Sequence, residues 1–404
     1  MVIKNKLKGF IIVLLLFALG CEADTYSTNR EEFNTDLTSD RLAPTVSVGA
    51  AIIKNTENAV VQSTETGTVY LVRNSVSVSN PVSITGAADN LWNSVNIIFV
   101  DTNTYLPATD LLDGTYKAYG VDAAGNLSSA STNSVTVDST APTANLTAVT
   151  DDVGNLTGAL TSGDFTDDTS LVLSGSNESG SVVIVYDGNT ELGNATVSGT
   201  SWSYTASVVN GTTYQFNIKE TDLAGNISDA TSNFEVTGDT TAPTVTLLYP
   251  NVTLNASSSA SVRSTETGTV YLVYTSVTVN SLSSITGAAD NLWNSVTIGT
   301  PSSTTLLPVT GLINGTYKAY AVDYAGNLSS VSSNMVLVDG VIPTISSLVI
   351  SVSGVQNSFL NAGDVVSVTA TFTEAVLVNG TPSITIIVGS TNRSATHSSG
   401  SGLT

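Results

Sequence analysis

Aspartates at recurring places hold most of the chemical capacity of this 404-residue sequence. Asp138, Asp239 and Asp339 each stand four residues ahead of a Pro-Thr pair, at Pro142, Pro243 and Pro343. With Pro44-Thr45 these pairs form a series spaced about 100 residues apart, the size of one two-sheet sandwich. A second set, Asp122, Asp222 and Asp323, opens an Asp-x-Ala-Gly-Asn turn, and a third is Asp151, Asp152, Asp167 and Asp168. Carboxylates brought together repel unless they share a proton or bridge a cation, and Ca²⁺ takes six to eight oxygens. The other candidates are Trp92 and Trp293, in identical Asp-Asn-Leu-Trp-Asn settings. An exposed indole stacks on sugar rings; a buried one plugs a core.

Much else is excluded. The lone histidine, His397, lies in a Ser/Gly-rich tail, so histidine catalysis and a His-rich zinc site have no material. Cys21 is the only cysteine, and no intramolecular disulfide is possible. Lys and Arg total 12 against 33 Asp and Glu, a net charge of −21. That balance argues against nucleic acid, whose affinity comes from phosphate neutralisation, and suits calcium or simple solubility. Carboxylate pairs alone could serve a glycosidase, but these recur once per repeat beside the interdomain links. The chain reads as a non-enzyme.

Ser, Thr, Asn, Gly and Val dominate, which favours strands and turns. Alternation from Tyr116 through Ala118, and from Tyr214 through Phe216 and Ile218, marks strands with one buried face. Segments 63–143 and 264–344 align without a gap and are identical at roughly two positions in three. The expected fold is all-β: sandwiches at 44–141, 142–242 and 243–342, then an incomplete fourth β module at 343–404 with strands Val365–Phe372 and Ser383–Val388. In a seven-strand sandwich the chain enters at one pole and leaves at the other. Asp222 should therefore face the first domain near Asp138, and Asp323 the second near Asp239. The connection carrying Asp151, Asp152, Asp167 and Asp168 should share the downstream pole of the second domain. Two readings stay open: calcium held among these eight aspartates, or solvated turn residues beside the links.

Three endings carry a family resemblance. Each places a Tyr (Tyr116, Tyr214, Tyr317) shortly before Asp-x-Ala-Gly-Asn, and in the first and third units Gly-Thr precedes it directly. The middle unit adds Asp151-Asp152-Val-Gly154, Thr166-Asp167-Asp168, Tyr186-Asp187-Gly188, Leu192-Gly193 and Trp202. This pattern, over 45–343, resembles the bacterial Ig-like repeats of large surface and biofilm adhesins. The resemblance implies immunoglobulin-like sandwiches with a tyrosine corner, in exported, extended, often calcium-dependent arrays, and identifies no ligand. The expectation is an adhesin or structural spacer. The alternative is a carbohydrate-binding surface protein using Trp92 and Trp293, and a glycan or protein ligand fits either.

Lys4, Lys6 and Lys8 precede an apolar run from Phe10 to Leu19, the length of a signal-peptide core. Ala18-Leu19-Gly20-Cys21 resembles a bacterial lipobox, which implies cleavage before Cys21 and a lipid on its sulfur. Residues 1–20 then form the signal peptide and 21–43 a polar tether, with the domains at the outer membrane or cell surface. Mass spectrometry of membrane-extracted protein should find Cys21 acylated at the mature N-terminus; a free thiol, or cleavage elsewhere, removes the anchor.

Overall fold

The computed structural model describes residues 40–354, 356, 358–388 and 390–401. Residues 1–39, with the expected signal peptide, Cys21 and the expected tether, lie outside the described residues. The chain divides into two compact units, one ending at Asp138 and one beginning at Ser139. No helix among the described residues is long and apolar enough to cross a membrane.

The first unit holds one sandwich. Its smaller sheet joins Val46–Val48, Asn58–Ser63 and Thr104–Pro107. Its larger sheet runs, edge to edge, Ala51–Ile53, Val135–Val137, Gly114–Asp122, Gly67–Arg73 and Trp92–Ile97. The first two strands divide between the sheets: Val46–Val48 pairs antiparallel with Asn58–Ser63, and Ala51–Ile53 pairs parallel with Val135–Val137. Period-2 alternation turns Val69, Leu71, Tyr116 and Ala118 inward, where they meet Val48, Val61 and Leu106 from the facing sheet.

The second unit holds two complete sandwiches followed by two hairpins. The sandwich nearer its C-terminus repeats the first unit strand for strand, with Gly315–Asp323 as its long central strand and Gly268–Tyr274 beside it. The sandwich before it has two five-stranded sheets, centred on Ser170–Ser176 and Thr213–Thr221. The hairpins pair Ile345–Ser353 with Val365–Phe372, and Ser383–Val388 with Thr391–Thr396. The all-β expectation of tandem Ig-like sandwiches holds.

The larger sheets are closed by tyrosines. Tyr116 and Tyr317 are fully buried, and each hydroxyl donates to a carbonyl four residues upstream, Leu112 O at 2.6 Å and Ile313 O at 2.8 Å. A buried phenol needs such a partner, and this one ties the corner loop to the strand. Tyr214 behaves differently. It is only half-buried, and its hydroxyl accepts from the Val209 N–H at 3.1 Å while the ring stacks on Phe216. Tyr317→Phe should therefore cost its sandwich about 1 kcal/mol or more by removing the hydrogen bond of a buried hydroxyl to a part-buried carbonyl. Tyr214→Phe should cost less, since water reaches the freed amide. Calorimetry of the two variants separates them, and equal losses would count against the corner assignment.

Candidate functional site

The turn after each central strand is built around its own aspartate. Asp323 Oδ1 accepts from the backbone N–H groups of Ala325 and Asn327, both at 2.9 Å, while Oδ2 accepts from Asn327 Nδ2 at 2.9 Å. Asp122 and Asp222 make the corresponding bonds to Asn126 and Asn226. The chain reverses at Gly326, where φ is +98° and a Cβ would press on Leu156 of the preceding sandwich.

Strand register then brings in a residue that sequence reading did not select. Gly268 pairs directly with Asp323, so Glu266, two positions earlier, arrives beside that turn. Asp239, on the link from the preceding sandwich, completes a trio: one carboxylate oxygen each from Asp239, Glu266 and Asp323 lie within 4.8 Å of one another. Glu266 Oε2 is buried without a hydrogen-bond partner, and Asn327 Nδ2 ties the turn to Asp239 O at 2.8 Å. Burial pushes the Glu266 carboxyl up, and the charges of Asp239 and Asp323 add to it. Burial also raises Asp323, outweighing its turn hydrogen bonds, with Asp239 contributing.

The first unit carries the same trio in Asp40, Glu65 and Asp122, again within 4.8 Å. Glu65 is raised by burial and then by Asp40 and Asp122. Burial pulls Asp122 the same way, but its bonds from Asn126, Gly125 and Ala124 together leave it lowered. Asp40 stands four residues before Pro44, so it belongs to the aspartate series as its first member. The signal for the glutamates was the shared Ser-Thr-Glu-Thr-Gly block at Ser63 and Ser264. A related pair follows the last sandwich, where Asp339 and Glu374 line a cleft of 340 Å³ and Glu374 Oε1 is buried without a partner.

The remaining expected ligands have other surroundings. Asp151 and Asp168 are 2% exposed and engaged within their own sandwich. Asp151 accepts from Val153 N–H at 2.9 Å and Thr166 Oγ1 at 2.5 Å, and Asp168 accepts from Ser170 N–H at 2.7 Å. Asp152 is exposed. Asp138 ends the first unit, its N–H donating to Ile53 O, while the Asp222 carboxylate is held by Asn226 within the second.

Asp167 is the link back to the trio. Its Oδ1 is buried without a partner, and its carboxyl is pushed up to about 6 by burial, then by the charges of Asp151, Asp323 and Asp168. The loop that Asp151 and Asp168 brace also presents Asn155. Its Nδ2 donates to Gly326 O and its Oδ1 accepts from Leu282 N–H, both at 2.8 Å, stapling two segments of the next sandwich. Phe165 lines a 140 Å³ cleft with Asp239, Glu266, Pro301, Asp323 and Tyr324.

The tryptophans follow short helical turns. Trp92 comes after Pro81–Thr85 and Asp89–Leu91, and Trp293 after Leu282–Thr286 and Asp290–Leu292. Both are half-buried and lie across the strand pair from Val72 and Val273. Each packs on a tyrosine that sequence adjacency does not reveal: Tyr70 with Trp92 at 5.7 Å, Tyr271 with Trp293 at 5.8 Å, tilted by 56° and 51°. The Trp293 Nε1 is buried without an acceptor.

Residues 142–240 match the family profile described as a bacterial Ig-like domain. This segment is a bacterial Ig-like domain. The chain is also similar to exoglucanase B of Cellulomonas fimi, 31% identical over 257 residues, covering 56% of this chain and 22% of the relative. It thus spans about a fifth of that protein's length. Among solved structures, the fibronectin(III)-like modules of Clostridium thermocellum CbhA give a TM-score of 0.30 at 15% identity, covering 48% of this chain and 93% of theirs. The BSP domain of a biofilm associated protein gives 0.17 at 18% identity, covering 48% and 30%.

Two outcomes follow for the Ig-like domain and its neighbour. Asn155→Ala should loosen the pair, because one side chain makes both bridging bonds. Small-angle scattering of 142–343 should show added flexibility, and an unchanged profile would show that the staple holds nothing. Asp167 is raised on folding above its ordinary 3.8, so its ionisation opposes the folded state. The stability contributed by its protonated form is fully present below about pH 4 and is lost as pH rises through about 6. Asp167→Asn should flatten the loss across this window and raise the melting temperature at neutral pH; a steeper profile would contradict the assignment.

Proposed function

We propose that the chain is a lipid-anchored, surface-facing array of Ig-like domains that acts as an adhesin or structural spacer, with calcium stiffening its junctions. The observation that carries this reading is the repeated trio, Asp40–Glu65–Asp122 and Asp239–Glu266–Asp323, at the upstream poles of two sandwiches. Each trio takes one acid from the incoming link, one from the bend between two strands and one from the turn. The charges that act most on the Glu266 carboxyl are those of Asp239 and Asp323, and Asp239 also acts on Asp323. A divalent ion would supply the missing positive charge and tie link to domain, and a hard cation with flexible oxygen coordination suits three carboxylates. The bacterial Ig-like match and the cysteine after an apolar run support placement at the cell envelope.

Binding that favours the assembled junction stabilises it by mass action, by about 2.7 kcal/mol at a hundred times Kd. Calorimetry of the full chain should show melting shifted upward in calcium relative to EGTA. Glu266→Gln with Asp323→Asn should remove the shift at the junction of the last two sandwiches, and Glu65→Gln should weaken it where the link enters the first sandwich. Equal melting in calcium and EGTA would reject the role of calcium.

A second reading is carbohydrate binding, favoured by the tyrosine beside each tryptophan, since paired aromatics offer a broader stacking surface. A glycan array separates the two: loss of binding in Trp92→Ala and Trp293→Ala supports the sugar reading, and no binding by the parent chain dismisses it.

A further inference from the structure

The two near-identical sandwiches differ most informatively at their upstream poles. In the first, the loop after Trp92–Ile97 reads Ile98-Phe99-Val100, exposed by 73%, 73% and 44%, and the link carries Leu42, exposed by 72%. In the later sandwich the matching loop is Gly299-Thr300-Pro301 and the matching link residue is Thr241. There, Pro301 and the Asp239–Glu266–Asp323 trio line one cleft with Phe165 of the preceding Ig-like domain. Four positions are thus large and apolar in one repeat and small or polar in the other, where a folded domain already covers the pole.

The apolar positions of the first unit lie together. Asp101 N–H donates to Ser63 O, fixing the loop's end, and just after Leu42 the Thr64 N–H donates to Thr45 O while the Thr45 N–H donates to Thr64 Oγ1. Asn126 Nδ2 holds the carbonyls of Asp40 and Leu42. The four side chains and the adjacent Arg41 therefore share the pole from which the chain runs back toward Cys21.

We propose that this pole docks on the lipid bilayer, with Leu42, Ile98, Phe99 and Val100 entering the headgroup–acyl boundary and Arg41 at the phosphate level. The proposal rests on the lipid-anchor reading. Asp40 stands 19 residues after Cys21, a span of at most ~65 Å at ~3.4 Å per residue, too short to hold another sandwich of about 100 residues between anchor and pole. Exposed apolar groups beside a cationic side chain are the composition that seats in a membrane interface. Asp40, Glu65 and Asp122 nearby disfavour anionic headgroups, which selects a neutral surface.

The test uses full-length acylated protein in vesicles of phosphatidylethanolamine and phosphatidylcholine. Acylation consumes the only native thiol, so Phe99→Cys carries an environment-sensitive fluorophore alone, and Thr300→Cys labels the matching position in the later repeat. The label at 99 should emit at shorter wavelength and be quenched by brominated acyl chains at least threefold more than the label at 300. Protein that floats with the vesicles while both labels report water overturns the docking and leaves the anchor standing. A blue-shifted label at 99 that brominated lipid does not quench assigns the pole to a second protein copy and also overturns it. Protein that fails to float removes anchor and docking together.

Discussion

The geometry of the junction between the last two sandwiches depends on one aspartate whose carboxylate is bound by its own turn. The N–H groups of Asn327 and Ala325 and the Asn327 side chain occupy Asp323 from one side. This fixes the turn that closes the longest strand of the larger sheet. The same anchoring points the carboxylate at the pole where the preceding link arrives. The residue thus joins a local task, closing a hairpin, to a non-local one, meeting a neighbouring domain. Asn327 reinforces the coupling by binding Asp323 and the Asp239 carbonyl with a single amide.

Electrostatics and hydrogen bonding oppose each other at that pole. Asp239, Glu266, Asp323 and Asp167 are brought close while burial raises three of them, Glu266, Asp323 and Asp167. Isolated, such a cluster pushes the domains apart. The Asn155 bridge, the Leu156 contact at Gly326 and the Phe165 wall act in the other direction. The junction between the Ig-like domain and its successor is therefore held by neutral groups surrounding a charged centre, and a cation would change the balance without creating the interface.

Divergence between the repeats shows which positions belong to the fold and which to the neighbours. Most inward residues, the corner tyrosines and the turn aspartates are the same in the two near-identical sandwiches, and the inward exchanges, such as Val48 for Leu247 and Ala108 for Val309, stay apolar, because core packing and strand closure make the same demands in both. The loop at 98–100 against 299–301 differs because its surroundings differ. The middle Ig-like domain joins Val182–Asp187 to Thr190–Asn194 by a tight turn where the other two sandwiches have helical turns, and gains the braced loop that carries Asn155.

Sequence alone determined the all-β class, the repeat length, the turn aspartates and the proximity of Asp239 to Asp323. These follow from short-range rules: period-2 alternation, turn chemistry, and a link that must leave one pole and enter the next. It assigned Asp151 and Asp168 to a metal site, whereas the structure occupies their oxygens with Val153, Thr166 and Ser170 inside one sandwich. Tertiary structure alone decided that Glu266 joins the trio. Glu266 lies 57 residues from Asp323, and only the antiparallel register of Gly268 against Asp323 sets them side by side. The Tyr–Trp pairs and the Asn155 staple were hidden for the same reason. Contacts across a sheet or between domains depend on the closed fold, where pairing partners are fixed by core packing over many strands rather than by spacing along the chain.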